Sequence, residues 1–365
     1  MAAGDFAILV GISIYADAQY SKLDGPPNDI ALIKQWLLEK AGGDVPEKNI
    51  IVIESTNPPT IVPPYGMSPR KEEFEAIFNK LVADRMALRE ARLNGRLYLY
   101  FSGHGFCNRD IERGDSEAAL HTANATKYIN EHMFGTFYAR TAKGGPLFKE
   151  TVLIMDCCRS SEINRKLLPG TSTVTPDETL SAHAQLMAIY AAPKGGLAQE
   201  RKIKEREGKV YGLLTHALIK ALDEARPNGN NQITGSALKD LMLQSWETVC
   251  GPDAPARPEI FLPPSGELLF GARNTGTPVT IQFNNPQPVG AMFTLRNSKL
   301  EKVADLSATG NAGDDLVGKD GSLLSYARQA NQLVLRLQPG LYEYSATSGP
   351  RGTIKIPGEA QIVTV

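Results

Sequence analysis

A chain of 365 residues is longer than one average domain and predicts two. Its 39 Lys and Arg against 40 Asp and Glu leave a formal charge of −1, which gives no electrostatic reason to expect nucleic acid or an anionic membrane as partner. The four cysteines fit a reducing compartment, no apolar run approaches the ~18–20 residues of a membrane helix, and the start lacks a basic segment followed by a long apolar core, so a cytoplasmic protein is expected.

Strands and helices alternate over the first 270 residues. Residues 6–12 read as a buried strand, and 28–40 as a helix with Ile30, Ile33, Trp36 and Leu37 on one face. Residues 50–54 form a second strand; after a Pro-rich loop, Ser68 caps and Pro69 opens a long helix to about Leu93. The third and fourth strands are 97–101 and 151–155, and 186–192 is the fifth. Residues 210–224 and 236–249 read as amphipathic helices, the second capped by Thr234 or Ser236, and 259–262 or 267–270 adds a last strand. Such alternation implies right-handed crossovers and an α/β fold, a mostly parallel sheet with helices on both faces. Past Ala272 the pattern becomes short alternating runs at 279–283, 291–295, 332–337, 341–346 and 361–365, with no His or Cys, which suggests a small β-sandwich without chemistry of its own. The predicted domains are therefore 1–272 and 273–365.

Strands three and four each run into a reactive side chain. LYLYF leads into Ser102, Gly103, His104 and Gly105, and TVLIM into Asp156, Cys157, Cys158 and Arg159. Strands that are apolar throughout are buried on both faces and parallel, so their carboxyl ends lie along one edge, where ligands bind. That edge brings an imidazole near a thiol. A thiol attacks carbonyls as the thiolate, which an imidazolium stabilises, and the same group can protonate the leaving amine. The N–H of Gly105 with that of Cys158 makes a two-donor oxyanion hole, each donor worth about 3 kcal/mol.

These residues carry a resemblance. SGHG after one strand, and Asp-x-Cys-Arg-Ser after the next about fifty residues later, resemble the histidine and cysteine motifs of the caspase and metacaspase superfamily of cysteine peptidases. LDGPPNDI at 23–30 is similar to the Leu-x-Gly-x-x-Asn-Asp segment of metacaspases. The resemblance implies a caspase-like fold and an endopeptidase with His104 as general acid and base and Cys158 as nucleophile. Asp29, Ser102 and Asp156 would line an acidic S1 pocket for Arg or Lys. Caspases that cut after aspartate carry an arginine in that loop; here Leu23 stands in its place.

It further implies protein or peptide substrates, an activating cut made by the chain itself or an upstream protease, and no required cofactor. Calcium stays open, since many metacaspases depend on it. Candidate cuts are Arg165 and Lys166 in the loop 160–184, and Arg201, Lys202 and Arg206 in 193–209. A bacterial origin and a role in cell death or defence rest on the same resemblance.

Bland readings stand beside these. Cys157 is an alternative nucleophile, although adjacent strand residues point to opposite faces. Asp156 has a lesser alternative reading as a cap or ligand-free strand end, and Asp29 one as a helix-start residue favoured by the dipole. His104, Cys107, Cys157 and Cys158 have the ligand types for zinc but not the paired C-x-x-C spacing. Asp110, Glu112, Asp115 and Glu117 form a surface cluster or a weak calcium site, and the loop 226–235 lacks the closing Glu of an EF-hand. A catalytically silent adaptor of the same fold is the alternative function.

Overall fold

The computed structural model describes residues 4–365 except 63–65, 89–93, 110–115, 127, 162–173, 229–231, 252, 265–266, 272–276, 283–291, 297, 299, 301, 308–315, 318–322, 325, 330–331, 338–339, 347–350, 357–360 and 365. The chain forms two compact units, 1–221 with 234–270, and 222–233 with 271–365.

The first unit is built on β1 (Phe6–Gly11), α1 (Gly25–Leu38), β2 (Ile50–Glu54), α2 (Lys71–Ala87), β3 (Arg96–Gly103), β4 (Gly105–Arg109), β5 (Ser116–His121), β6 (His132–Phe134), α3 (Gly135–Gly144), β7 (Glu150–Cys157), β8 (Ser160–Ser161), β9 (Gln185–Tyr190), β10 (Glu200–Lys202), β11 (Val210–Gly212), α4 (Leu213–Glu224), α5 (Gly235–Cys250) and β12 (Glu259–Phe261). Its main sheet has six strands in the order β12-β9-β7-β3-β1-β2. Neighbours are parallel except β12, which runs antiparallel to β9.

The apolar runs explain the layering. All eight residues of β3 are buried, and so are all of β7 except Glu150. On one face Ile8, Val10, Leu99, Phe101, Leu153 and Met155 share a core with Phe74 and Phe78 of α2 and Tyr138 of α3. On the other, Trp36 of α1 packs edge-on against Tyr98 at 6.0 Å, and Gly11 lies so close to Ile30 that a Cβ would stand 2.7 Å from its Cγ1. Each fully buried Leu, Ile or Phe contributes about 1.5–3 kcal/mol, so a two-sided sheet of this kind supplies most of the fold's stabilisation.

Several boundaries differ from expectation. α1 starts at Gly25, because Pro26 and Pro27 suit the amide-free first positions of a helix. α2 starts at Lys71 and ends at Ala87; Ser68 does not cap it but donates to Glu73 Oε2 at 2.7 Å. Residues 210–212 are strand rather than helix, since β11 pairs with β10 in a hairpin. Thr234 caps α5, accepting from the Ala237 amide at 3.2 Å. A second sheet, β8-β4-β5-β6, and α3 had no counterpart in the predicted elements. The second unit, taken by itself, holds two four-stranded sheets, one containing 277–282 and 332–337, the other 292–296 and 340–346. Ile281, Phe293, Leu295, Tyr342 and Ile354 are buried in it.

Candidate active site

The imidazole is placed by the end of β3. Gly103 has φ +149, and a Cβ there would stand 2.7 Å from Tyr15 Oη, so only glycine turns the chain here without strain. The His104 amide then donates to Tyr15 Oη at 2.7 Å, while that hydroxyl donates to Ile12 O at 3.1 Å. His104 Nε2 lies 2.8 Å from the Ser21 carbonyl oxygen. A carbonyl only accepts, so Nε2 carries the proton and Nδ1 the lone pair. The ring also contacts Tyr15 and Tyr20, with centroids 5.0 and 5.8 Å away. Burial lowers the His104 pKa below its usual value.

The thiol is placed by the end of β7. Strand alternation sends Cys157 to the face of Met155, where it is buried with its Sγ against Gly105 and 3.9 Å from Ala119 O. Cys158, one residue beyond the strand, is half-buried and lines a pocket with His104. This separates the two cysteines: 158 reaches the cleft and 157 does not. Cys158 Sγ accepts from the Ala198 amide at 3.4 Å and stands 3.7 Å from the Ala198 carbonyl oxygen, to which the thiol can donate. Burial raises its pKa. The thiolate–imidazolium pair expected from the sequence is therefore disfavoured by burial, which opposes both charges.

Gly105 pairs with Leu120 of β5, and the His121 amide donates to His104 O at 2.9 Å. That marks a non-hydrogen-bonded pair, which leaves the Gly105 N–H outside the β4–β5 ladder. Arg159, 2% exposed, staples the loop after Cys158 to the sheet edge: it ion-pairs with Glu259 at 2.5 Å, stacks 4.2 Å from the Tyr190 ring centroid, and exchanges backbone bonds with Gly195 and Gly196.

The pocket, about 130 Å³, has an acidic floor. Asp29 and Asp156 are buried. Ser102 Oγ donates to Asp29 Oδ2 at 3.0 Å and the Gly212 amide to Oδ1 at 2.9 Å. Thr215 donates to Asp156 Oδ2 through its amide at 3.0 Å and its hydroxyl at 2.6 Å. Burial, then the charge of Asp156, raises the Asp29 pKa well above the carboxylate range; burial raises that of Asp156 to about 6 against the pull of Thr215. Glu200, which sequence reasoning did not pick out of its charged stretch, also lines the pocket, accepting from the Asp24 and Gly25 amides at 3.1 and 2.8 Å. Leu23 lines it as well, so no cation neutralises the floor from that position.

Residues 5–245 match the family model described as Peptidase_C14, Caspase domain. The chain belongs to the caspase-domain family. No curated protein matches it. Among solved structures, the caspase-domain chain is similar to caspase-1 from Spodoptera frugiperda, at 12% identity over 74% of this chain and 91% of that one, with a TM-score of 0.45. It is also similar to protein GSU0716 from Geobacter sulfurreducens, at 13% identity over 72% and 94%, with a TM-score of 0.41.

Three of the candidate cleavage positions lie on or within the β10–β11 hairpin of this caspase-domain chain. Arg201 and Lys202 are on β10; Arg201 bonds Cys250 O at 2.8 Å as well as Asp253 O. Arg206 donates to His216 Nδ1 at 3.2 Å. Arg165, Lys166, Asp110, Glu112 and Asp115 fall outside the described residues, as does the Glu117 side chain. Among the described residues no three His, Cys, Asp or Glu converge to hold a metal ion, and no helix is long and apolar enough to cross a membrane.

Proposed function

We propose that this caspase-domain protein is a cysteine endopeptidase that cuts protein chains after Arg or Lys. The observation that carries the reading is one pocket whose rim holds His104 and Cys158 and whose floor holds two buried carboxyl groups, Asp29 and Asp156. A cationic side chain entering the pocket offsets the like charges that otherwise oppose ionisation of both acids. With Nε2 committed to Ser21 O, Nδ1 is the nitrogen left to take the Cys158 proton. Sulfur then adds to the scissile carbonyl carbon, the oxyanion meets the Gly105 and Cys158 amides, and His104 returns the proton to the leaving amine. Water, deprotonated by the same imidazole, releases the acyl group.

The neutral resting pair and the Ala198 contacts on Cys158 favour a latent form that an activating cut or substrate entry converts. A permanently silent adaptor is the competing reading, and labelling of Cys158 by an arginyl chloromethyl ketone separates the two. The direct test is turnover of a fluorogenic Arg peptide. Cys158→Ala is expected to abolish it, and Asp156→Asn to lower kcat/KM by tens to thousands of fold, the range given by loss of one partner of a buried ion pair, about 2–5 kcal/mol. Turnover surviving Cys158→Ala, or an unchanged kcat/KM in Asp156→Asn, removes that residue from its role.

A further inference from the structure

Below the pocket floor, α4 begins without a capping side chain of its own. Its N-cap position is Gly212, and an added Cβ there would stand 2.1 Å from Asp156 Oδ2. The amides of the helix start are instead satisfied from distant elements: Gly212 N by Asp29 of α1, and Thr215 N by Asp156 of β7. A second donor chain converges on the same oxygen. Tyr100 Oη lies 2.6 Å from Thr215 Oγ1, which lies 2.6 Å from Asp156 Oδ2. A carboxylate only accepts, so the Thr215 proton points to Asp156 and the Tyr100 proton to Thr215. Oδ2 thus takes two donors, and among the described residues Oδ1 takes none.

We infer that Thr215 is the positioning residue of the pocket: its hydroxyl and amide saturate one oxygen of Asp156, favour the ionised carboxylate over the acid, and leave the other oxygen for a guanidinium, with Gly212 keeping the space clear. This rests on the acidic-pocket reading above. Among the described residues, Asp29, Glu200, Tyr100, Cys157, Cys158 and Cys250 interact with Asp156 by charge, none of them a cation, and His104 lines the same pocket. Hydrogen bonds are therefore what opposes desolvation and the Glu200 charge, and both Thr215 bonds lower the Asp156 pKa. Like a capping side chain inverted, the carboxylate stabilises the helix and the helix start stabilises the carboxylate.

The test is calorimetric titration of the full chain with agmatine, a bare guanidinium probe, from pH 5 to 8. Wild type is expected to bind with affinity rising through about pH 6. Thr215→Val should move that midpoint up by about one pH unit and weaken binding about fivefold at pH 6, as loss of one hydrogen bond to a charged group predicts. Thr215→Ser should titrate like wild type, and Gly212→Ala should bind weakly at every pH. An unshifted midpoint in Thr215→Val, or a shift in Thr215→Ser as large as in Thr215→Val, overturns the inference, the latter marking packing rather than hydrogen bonding. Should Thr215→Val not fold, Tyr100→Phe carries the same readout with a smaller upward shift, and no shift there overturns it equally. Wild type that fails to bind agmatine at any pH overturns the acidic-pocket reading itself, and this inference with it.

Discussion

Asp156 carries an acid–base signature that separates substrate binding from folding. Its pKa is raised from 3.8 to about 6. A carboxyl raised in the fold stabilises the folded chain below its unfolded pKa, and that contribution, about 3 kcal/mol, is lost as pH rises from about 4 through 6. Without substrate, Asp156→Asn should therefore gain stability relative to wild type over that interval, read as a difference in Tm that widens between pH 4 and 7. Toward an Arg peptide the proposed pocket reverses the sign, because a guanidinium pairs with the ionised acid, so wild-type kcat/KM should rise through the same interval. A flat Tm difference would mean that Asp156 ionises freely. The cysteines differ in kind: Cys157→Ala should cost about 1–3 kcal/mol of stability yet retain turnover, whereas Cys158→Ala should keep its Tm and lose turnover. The shared placement of His104 and Cys158 at one pocket was legible because each follows a β-rich apolar run after two intervening residues. Glu200, Gly212 and Thr215 were not, because their partners lie 59 to 183 positions away and no local pattern marks such contacts.

Among elements, the β10–β11 hairpin frames one wall of the pocket and carries three of the basic residues considered for processing. A protease binds its substrate as an extended strand with free backbone groups, but Glu200–Lys202 is already paired with Val210–Gly212. Arg201 and Arg206 are also tied by their side chains. Native-state trypsin is therefore expected to cut after Arg201 and Arg206 far more slowly than in the urea-unfolded chain, as peptide mass mapping would read; equal rates would show that the hairpin opens readily. The hairpin escaped prediction because Val210–Gly212 has the apolar character of the helix that follows, and pairing rather than propensity decided its state. The sheet β8-β4-β5-β6 escaped for a related reason. Its strands are short, and β5, SEAALH, alternates poorly, so ladder partners rather than sequence pattern define it.

At the level of the whole molecule, alternating strands and helices gave away the doubly covered sheet, since apolar runs such as β3 and β7 have few other ways to be buried. Less visible was that the second unit draws in Leu222–Ile233 from the middle of the chain. A chain ending at Phe270 keeps every candidate site residue but strips that segment of the strands it clusters with. It is expected to melt well below the full chain in thermal unfolding, and an equal Tm would make the last 95 residues dispensable for folding. The trans-capped start of α4 has an evolutionary consequence. An amide oxygen at position 156 or 29 would still answer the Thr215 and Gly212 amides, so Asp156→Asn with Asp29→Asn can discharge the pocket while the scaffold around it persists. Peptide-library profiling of that double variant should show selectivity drifting toward glutamine or citrulline, a route by which descendants of such a chain change diet without first losing their shape.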